Sequence, residues 1–153
     1  MSGPVRLLVL GESQRGDDGA PAAAMRLLRR SALRGVDVRR CPALEVDALL
    51  DGGPFVIVDA VRGPEPGTIV EQPLGAVAAL PADPSGSTHA LPLPAVLTLA
   101  AALRRRPLEG RFVGVAGERF GWGQDLSPAV RAALPVLAAS IDRALAGEVE
   151  RCA

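Results

Sequence analysis

The sequence predicts an α/β fold, a three-layer sandwich built on a doubly wound, mostly parallel sheet with helices on both faces. Short apolar runs alternate with segments of helical periodicity through residues 1–60, which is typical of βαβ units. The runs are continuous rather than alternating apolar with polar, as in strands buried on both faces. Because 153 residues of 48% hydrophobic composition can bury one core, we expect a single domain over residues 1–153.

A strand and a helix are predicted at the start of the chain. Residues 5–10 form an apolar run that ends at Gly11, as a buried strand and its following turn would. The helix is predicted to begin at residues 19–21 and to end near Gly35. Within this segment, leucines recur at roughly helical spacing and arginines lie between them, as in an amphipathic helix. Pro21 lies in the first turn, where proline is favourable.

Two further strands complete a β-α-β-α-β unit. A second strand is predicted over residues 36–41, a short helix over 44–50, and a third strand over 55–58 that stops at Asp59. Right-handed crossovers and a 2-1-3 strand order place the carboxyl ends of the first and third strands side by side. Ligands of doubly wound sheets bind at this edge.

The middle of the chain is less regular. Residues 67–71 predict an edge strand, and residues 73–92 predict a long loop, because they are rich in Pro, Gly, Ser and Ala. A loop of this length inside a compact domain is either functional or evidence of a missed element. We favour a functional role here because the loop contains the only histidine, His89.

Three regular elements are predicted in the last third of the chain. Residues 93–103 predict a helix, residues 111–115 a strand, and residues 127–145 a long amphipathic helix. Ser127 is expected to cap that last helix, with Pro128 in its first position.

Composition excludes several classes of function. Seventeen basic and seventeen acidic residues cancel without long runs of either sign, so neither nucleic acid nor a membrane is an expected partner. No apolar stretch approaches the roughly 20 residues of a membrane span, and the start lacks a signal-peptide pattern, so we expect a cytoplasmic protein. Cys41 and Cys152 form no CxxC pattern, which argues against a disulfide framework or a thiolate zinc site. The chain has no Lys, Tyr or Asn, which excludes mechanisms that need them.

Candidate site residues follow two of the predicted strands. Asp17 and Asp18 repel each other unless they are solvated or share a cation. Asp18, beyond the first strand, and Asp59, at the end of the third, are expected at one edge of the sheet, which His89 can reach from its loop. Two carboxylates and an imidazole suit a divalent transition metal such as nickel or zinc.

Each of these residues also has a simpler interpretation. Asp17 or Asp18 could cap the first helix, and Asp59 could cap a turn. A single histidine in a loop is often solvated or hydrogen-bonded without binding a ligand, which applies to His89.

Four motifs, in order along the chain, resemble those of the hydrogenase maturation proteases. They are Asp-Asp-Gly after the first strand, VDAVRGPEPGT around Asp59, Ser-Thr-His ending at His89, and LSPAV at the start of the last helix. The match runs from about residue 5 to residue 145, and the segment from Asp59 through Thr68 is its most specific part.

This resemblance implies a doubly wound sheet and an endopeptidase that removes the C-terminal extension of a nickel-iron hydrogenase large-subunit precursor. Asp18, Asp59 and His89 fall on the nickel-contacting positions and form the expected catalytic set of an aspartic-type endopeptidase. The nickel arrives with the precursor, bound to its cysteines, and marks the precursor as loaded. No tightly bound cofactor of the chain's own is therefore expected.

Departures from the family pattern define an alternative function. Residues 11–14 read Gly-Glu-Ser-Gln where the family usually has Gly-x-Gly-Asn, and residues 41–45 replace a segment resembling Asp-Gly-Gly-Thr. Glu12 thereby adds an acid beside the predicted cleft. The alternative is a divergent, non-catalytic relative that binds a metalloprotein or another partner without cleavage.

Two other classes fit less well. A signalling receiver also places acids after its first and third strands, but it needs a lysine that this chain lacks. A nucleotide-binding module needs a glycine-rich phosphate loop, and no GxxxxGK occurs. Trp122, between two glycines, is predicted to pack over the core, with substrate contact as the alternative.

Overall fold

The computed structural model describes residues 3–63, 65–81 and 91–153. Their central feature is a five-stranded sheet with the strand order β2-β1-β3-β5-β4. All neighbouring strands are parallel except β4, which runs antiparallel to β5. The predicted mostly parallel sheet, with β1 between β2 and β3, is confirmed. The strands are β1 Arg6–Leu10, β2 Asp37–Cys41, β3 Phe55–Arg62, β4 Ile69–Pro73 and β5 Gly110–Gly117.

Helices cover both faces of the sheet, which confirms the three-layer architecture. The α-helices α1 and α4 pack on one face, and α2 and α3 pack on the other. Short 3₁₀ turns connect several of the elements. Within the described ranges, the helices are α1 Ala20–Met25, α2 Leu74–Ala78, α3 Leu93–Arg104 and α4 Pro128–Cys152, and the 3₁₀ turns are Gly16–Gly19, Arg30–Leu33 and Val46–Leu49.

The central strands are apolar throughout because both of their faces are buried. In β1, Leu7 and Val9 point to the cluster under α1 and α4, whereas Leu8 and Leu10 point to the cluster under α2 and α3. This alternation follows from the two-residue period of a strand. The apolar residues of β1 therefore contribute to two hydrophobic cores, one on each side of the sheet.

The first helix is shorter than predicted. α1 ends at Met25, and a turn and the 3₁₀ segment Arg30–Leu33 replace the rest of the expected helix. A continued helix would stack Arg26, Arg30 and Arg34 at spacings of four residues, and like charges at that spacing destabilise a helix. The leucines there do not form one buried stripe either, since Leu27 is 52% exposed.

Other boundaries also differ from the prediction. The helix expected over residues 44–50 is only the 3₁₀ turn Val46–Leu49, and the loop expected over residues 73–92 begins with the short helix α2. Residues 82–90 of that loop lie outside the described residues. The last helix extends to Cys152, and Ser127 occupies its N-cap position without a side-chain capping hydrogen bond. The edge strand is confirmed as β4, shifted by two residues.

Long apolar helices of the kind that cross a membrane are absent from the described ranges.

Candidate active site

Asp59 lies inside β3 rather than at its end, which corrects the prediction. The strand continues to Arg62 because its last residues pair with the end of β5, from Gly114 to Gly117. β1 is shorter: Val9 pairs with Val58, so Asp59 is level with the last residue of β1. The side chain of Asp59 therefore sits beside the point where the neighbouring strand ends, at the carboxyl edge of the sheet.

Asp18 reaches the same edge from the 3₁₀ turn after β1. Its Oδ2 accepts a hydrogen bond from the backbone N–H of Glu12 at 2.8 Å. The chain folds back so closely that a Cβ at Gly11 would lie 2.1 Å from the carbonyl oxygen of Asp18 and 3.1 Å from its Oδ1. Gly11 also has a φ of +106°, a region that favours glycine. The glycine after β1 thus allows the carboxylate of Asp18 to close over the strand end.

Asp17 faces away from its neighbour and is fully buried. Its Oδ2 accepts hydrogen bonds from the N–H groups of Glu118 at 2.8 Å and Arg119 at 3.0 Å, and its Oδ1 accepts one from Ser127 at 2.7 Å. Burial raises the pKa of Asp17, but these three donors outweigh it and hold the pKa below its usual value.

Neither acid of the pair caps α1, so that interpretation is wrong. The N-cap of α1 is Gly19, and no side chain caps it. Asp17 instead ties the turn after β1 to the loop after β5 and to the start of α4. The two carboxylates coexist because one is satisfied by buried backbone donors while the other faces the sheet edge.

The pKa of Asp59 is raised well above its usual value. Burial, and then the nearby charge of Asp18, raise its pKa to about 7, while the backbone N–H of Ala60 acts in the opposite direction. Asp18 and Asp59 are therefore close enough to interact electrostatically. A carboxyl group that titrates near neutral pH is suited to proton transfer.

The third predicted site residue, His89, lies outside the described residues, so its approach to the two acids stays a prediction. Within the described ranges, no group of three or more His, Cys, Asp or Glu side chains is arranged to hold a metal ion. Of the predicted ligand set, the described residues include only the two carboxylates, Asp18 and Asp59. Glu12 is partly exposed beside Asp18.

Trp122 does not pack over the core, which corrects the prediction for this residue. Its side chain is 68% exposed, in the loop between β5 and α4. That loop also carries the donors that bind Asp17, so it lies beside the Asp17–Asp18 turn. Substrate contact, the alternative role that the sequence suggested for Trp122, stays a prediction.

The chain matches neither a protein-family model nor a curated protein sequence. Its structure does match solved ones. The hydrogenase maturating endopeptidase HybD from E. coli superposes with a TM-score of 0.71 at 21% identity, over 90% of this chain and 89% of that one. The NiFe hydrogenase maturation protease HycI from Thermococcus kodakarensis gives a TM-score of 0.64 at 21% identity, over 93% and 92%. The hydrogenase 2 maturation peptidase from a Thaumarchaeota archaeon gives 0.61 at 20% identity, over 94% and 98%.

These matches cover both chains almost end to end, whereas the sequence identity is low. They therefore establish architecture: the order and direction of the strands and the layers of helices around them. This protein has the fold of the hydrogenase maturation proteases.

Proposed function

We propose that this protein is a cytoplasmic endopeptidase that removes the C-terminal extension of a nickel-loaded hydrogenase large-subunit precursor. Asp18 and Asp59 carry the proposal, because they interact at the carboxyl edge of a sheet whose fold is shared with proteins named as hydrogenase maturation proteases. The four motifs quoted above support the same family.

In this proposal the metal belongs to the substrate. Asp18, Asp59 and His89 supply two carboxylates and an imidazole, a ligand set that suits nickel. They complete the coordination of an ion that the precursor already holds, and a set this small binds the free ion weakly. A precursor without nickel then lacks the contact that docks it, so the metal acts as the test for a loaded precursor.

Cleavage requires a base to activate water. Asp59 is favoured for this role, because burial and the charge of Asp18 raise its pKa to about 7 in the nickel-free protein, so that it is a stronger base than an exposed carboxylate. Contact with the cation would lower that pKa and keep the carboxylate ionised at neutral pH. One of its oxygens can contact the metal while the other takes a proton from the attacking water. Water oxygen then bonds to the scissile carbonyl carbon, the C–N bond breaks, and the proton passes to the leaving amine.

The direct experiment mixes the purified protein with nickel-loaded precursor and follows the precursor by mass spectrometry. We expect the precursor to lose its C-terminal extension, and the nickel-free precursor to keep its full mass. Asp18→Ala, Asp59→Ala and His89→Ala should each slow trimming by about 100-fold or more. The control is Asp47→Ala, which removes an exposed carboxylate outside the site and should leave the rate unchanged.

Two results would contradict parts of the proposal. A precursor that binds in a nickel-dependent manner but keeps its full mass would indicate the non-catalytic relative. Normal trimming by the Asp18→Ala and His89→Ala variants would show that the site residues are wrong.

A further inference from the structure

Two arginines stack on aromatic rings beside the candidate active site. The guanidinium carbon of Arg15 lies 5.4 Å from the ring centre of Trp122, and that of Arg62 lies 4.7 Å from the ring centre of Phe120. Arg15 also donates a hydrogen bond from Nε to the carbonyl oxygen of Phe120 at 3.3 Å. Both arginines thus contact the same residue. We call these four side chains, Arg15, Arg62, Phe120 and Trp122, the arginine rim.

The rim belongs to the same edge of the sheet as the two acids. Arg15 comes three residues before Asp18, and Arg62 ends the strand that carries Asp59. The aromatic residues come from the loop that follows β5, the strand paired with β3. Within β3, alternation places Arg62 on the α1 and α4 face with Ala60, and Asp59 on the α2 and α3 face with Ile57. A peptide segment that crosses the end of β3 from Asp59 would therefore reach the rim.

Hydrogen bonds join the loop after β5, which carries Phe120 and Trp122, to the turn after β1, which carries Asp17 and Asp18. Asp17 accepts hydrogen bonds from the N–H groups of Glu118 and Arg119, as described above. In addition, the N–H of Gly16 donates to the carbonyl of Gln124 at 3.0 Å, and the N–H of Gly123 donates to the carbonyl of Gln14 at 2.8 Å. The rim is therefore held in a fixed position relative to Asp18.

Within the described ranges, Arg15 uses only its Nε, in the hydrogen bond to Phe120, and Arg62 has no side-chain hydrogen bond. In the part of the chain that the structure describes, neither Arg15 nor Arg62 has a carboxylate within ion-pair distance. A cation–π contact with a ring satisfies none of the N–H groups of a guanidinium, so these groups can still bind a planar, bidentate anion. A carboxylate is the peptide group with that geometry.

We propose that the arginine rim binds the free α-carboxylate of the C-terminal extension, an inference that rests on the proposed function. Any segment removed from a C-terminus ends in a carboxylate, so the substrate is certain to carry this group. The charges of the edge are complementary to such a substrate: Asp18 and Asp59 attract the cation, and Arg15 and Arg62 attract the anionic end. The exposed ring of Trp122 offers an apolar contact to the residues between them.

The test uses two synthetic peptides with the sequence of the extension, one ending in a free carboxylate and one in an amide. The single tryptophan of the chain lies in the rim, so its fluorescence reports binding directly. Anisotropy of labelled peptides gives a second measurement for variants that alter the fluorescence. We expect the free acid to bind about tenfold more tightly than the amide.

Arginine variants test whether the arginine rim causes the preference for the free acid over the amide. Arg15→Gln and Arg62→Gln should each weaken binding of the free acid by about threefold and leave the amide unaffected. The double variant should bind both peptides equally. Arg131→Gln, which removes an exposed charge from α4, is the matched control and should preserve the preference for the acid. Arg62 is exposed, so its substitution is not expected to disturb folding.

Equal binding of acid and amide by the unmodified protein would overturn the inference, as would an undiminished preference in the double variant. These results are independent of cleavage. If the precursor is trimmed but the acid has no advantage, the rim inference fails and the proposed function stands. If the acid binds through the arginines but no precursor is trimmed, the endopeptidase proposal fails.

Discussion

Asp17 and Asp18 are adjacent and chemically identical, and their surroundings separate their roles. Asp17 is buried against three backbone donors, whereas Asp18 is partly exposed and accepts one. An amide in place of Asp17 would turn N–H groups toward those donors. Asp17→Asn should therefore lower the free energy of unfolding at pH 7 by about 2–4 kcal/mol. Asp18→Asn should lower it by less than about 1 kcal/mol. Urea denaturation followed by far-UV circular dichroism measures both.

The stability difference between the unmodified protein and Asp17→Asn should depend on pH, because it arises from the charge of Asp17. Because hydrogen bonding lowers the folded-state pKa of Asp17, its carboxylate stabilises the protein above its unfolded pKa of about 3.9. This stabilisation is lost as the pH falls through the folded-state pKa. The gap between the unmodified protein and Asp17→Asn should narrow below pH 4. A constant gap down to pH 2 would instead point to a defect of packing.

Asp59 should affect stability in the opposite direction. Its folded-state pKa of about 7 lies above the unfolded value, so the folded protein loses stability as the pH rises from about 4 to about 7. Asp59→Asn removes this penalty. It should raise the free energy of unfolding at pH 8 by about 2–4 kcal/mol and change little at pH 4. Urea denaturation across this pH range measures the effect.

The exposed Asp47 supplies the control for that experiment, since Asp47→Asn should not reproduce the pH-dependent gain. Equal stability of Asp59→Asn and the unmodified protein at pH 8 would mean that Asp59 ionises without cost. The predicted gain accompanies the predicted loss of trimming, which is the usual conflict between stability and a functional charge.

Helix α3 ends on a residue whose backbone conformation is unfavourable. Arg105, at the C-cap, has a φ of 57°, the left-handed region that glycine adopts without a steric penalty. Arg105→Gly should raise the free energy of unfolding by about 0.5–1 kcal/mol. Thermal and urea denaturation measure it. Ala102→Gly, inside the same helix at an exposed position, should have the opposite sign. Destabilisation by both variants would contradict this account of the helix end.

Sequence patterns predicted two kinds of element correctly: helices that are stabilised by contacts within the helix, and strands that are buried on both faces. The runs of β1 and β3 and the helix α3 are such elements, and their positions are confirmed. The last four residues of β3 were not predicted, because Asp59 and Arg62 interrupt the apolar pattern. Pairing with β5, which is distant in sequence, extends the strand past them. Boundaries that depend on a partner strand cannot be deduced from the strand alone.

The same limit applies to the site. Topology alone predicted that Asp18 and Asp59 would come together, because the ends of neighbouring parallel strands share an edge. The anchoring role of Asp17 was not predictable, since its donors are 101 to 110 residues away in sequence. Nothing in the local pattern distinguishes Asp17 from Asp18. Trp122 was misplaced for a related reason: large apolar size favours burial, and only the fold shows that its loop faces outward.

The molecule as a whole has two apolar cores separated by the sheet. One lies under α1 and α4 and includes Ile141, and the other lies under α2 and α3 and includes Leu97. Alternate residues of β1 and β3 belong to different cores. Neither core can come apart without exposing one face of these central strands, so we expect both to unfold together.

Two core substitutions test this coupling. Leu97→Ala and Ile141→Ala each truncate a side chain with no exposed surface, and each should lower the free energy of unfolding by about 2–5 kcal/mol. Both variants should still unfold in one transition with an unchanged denaturant slope, because each weakens the whole molecule. Far-UV circular dichroism and amide hydrogen exchange on both sides of the sheet measure this. Leu99→Ala and Val136→Ala, at partly exposed positions of the same two helices, should cost much less. Two separate transitions in either core variant would show that the two sides of the sheet fold independently.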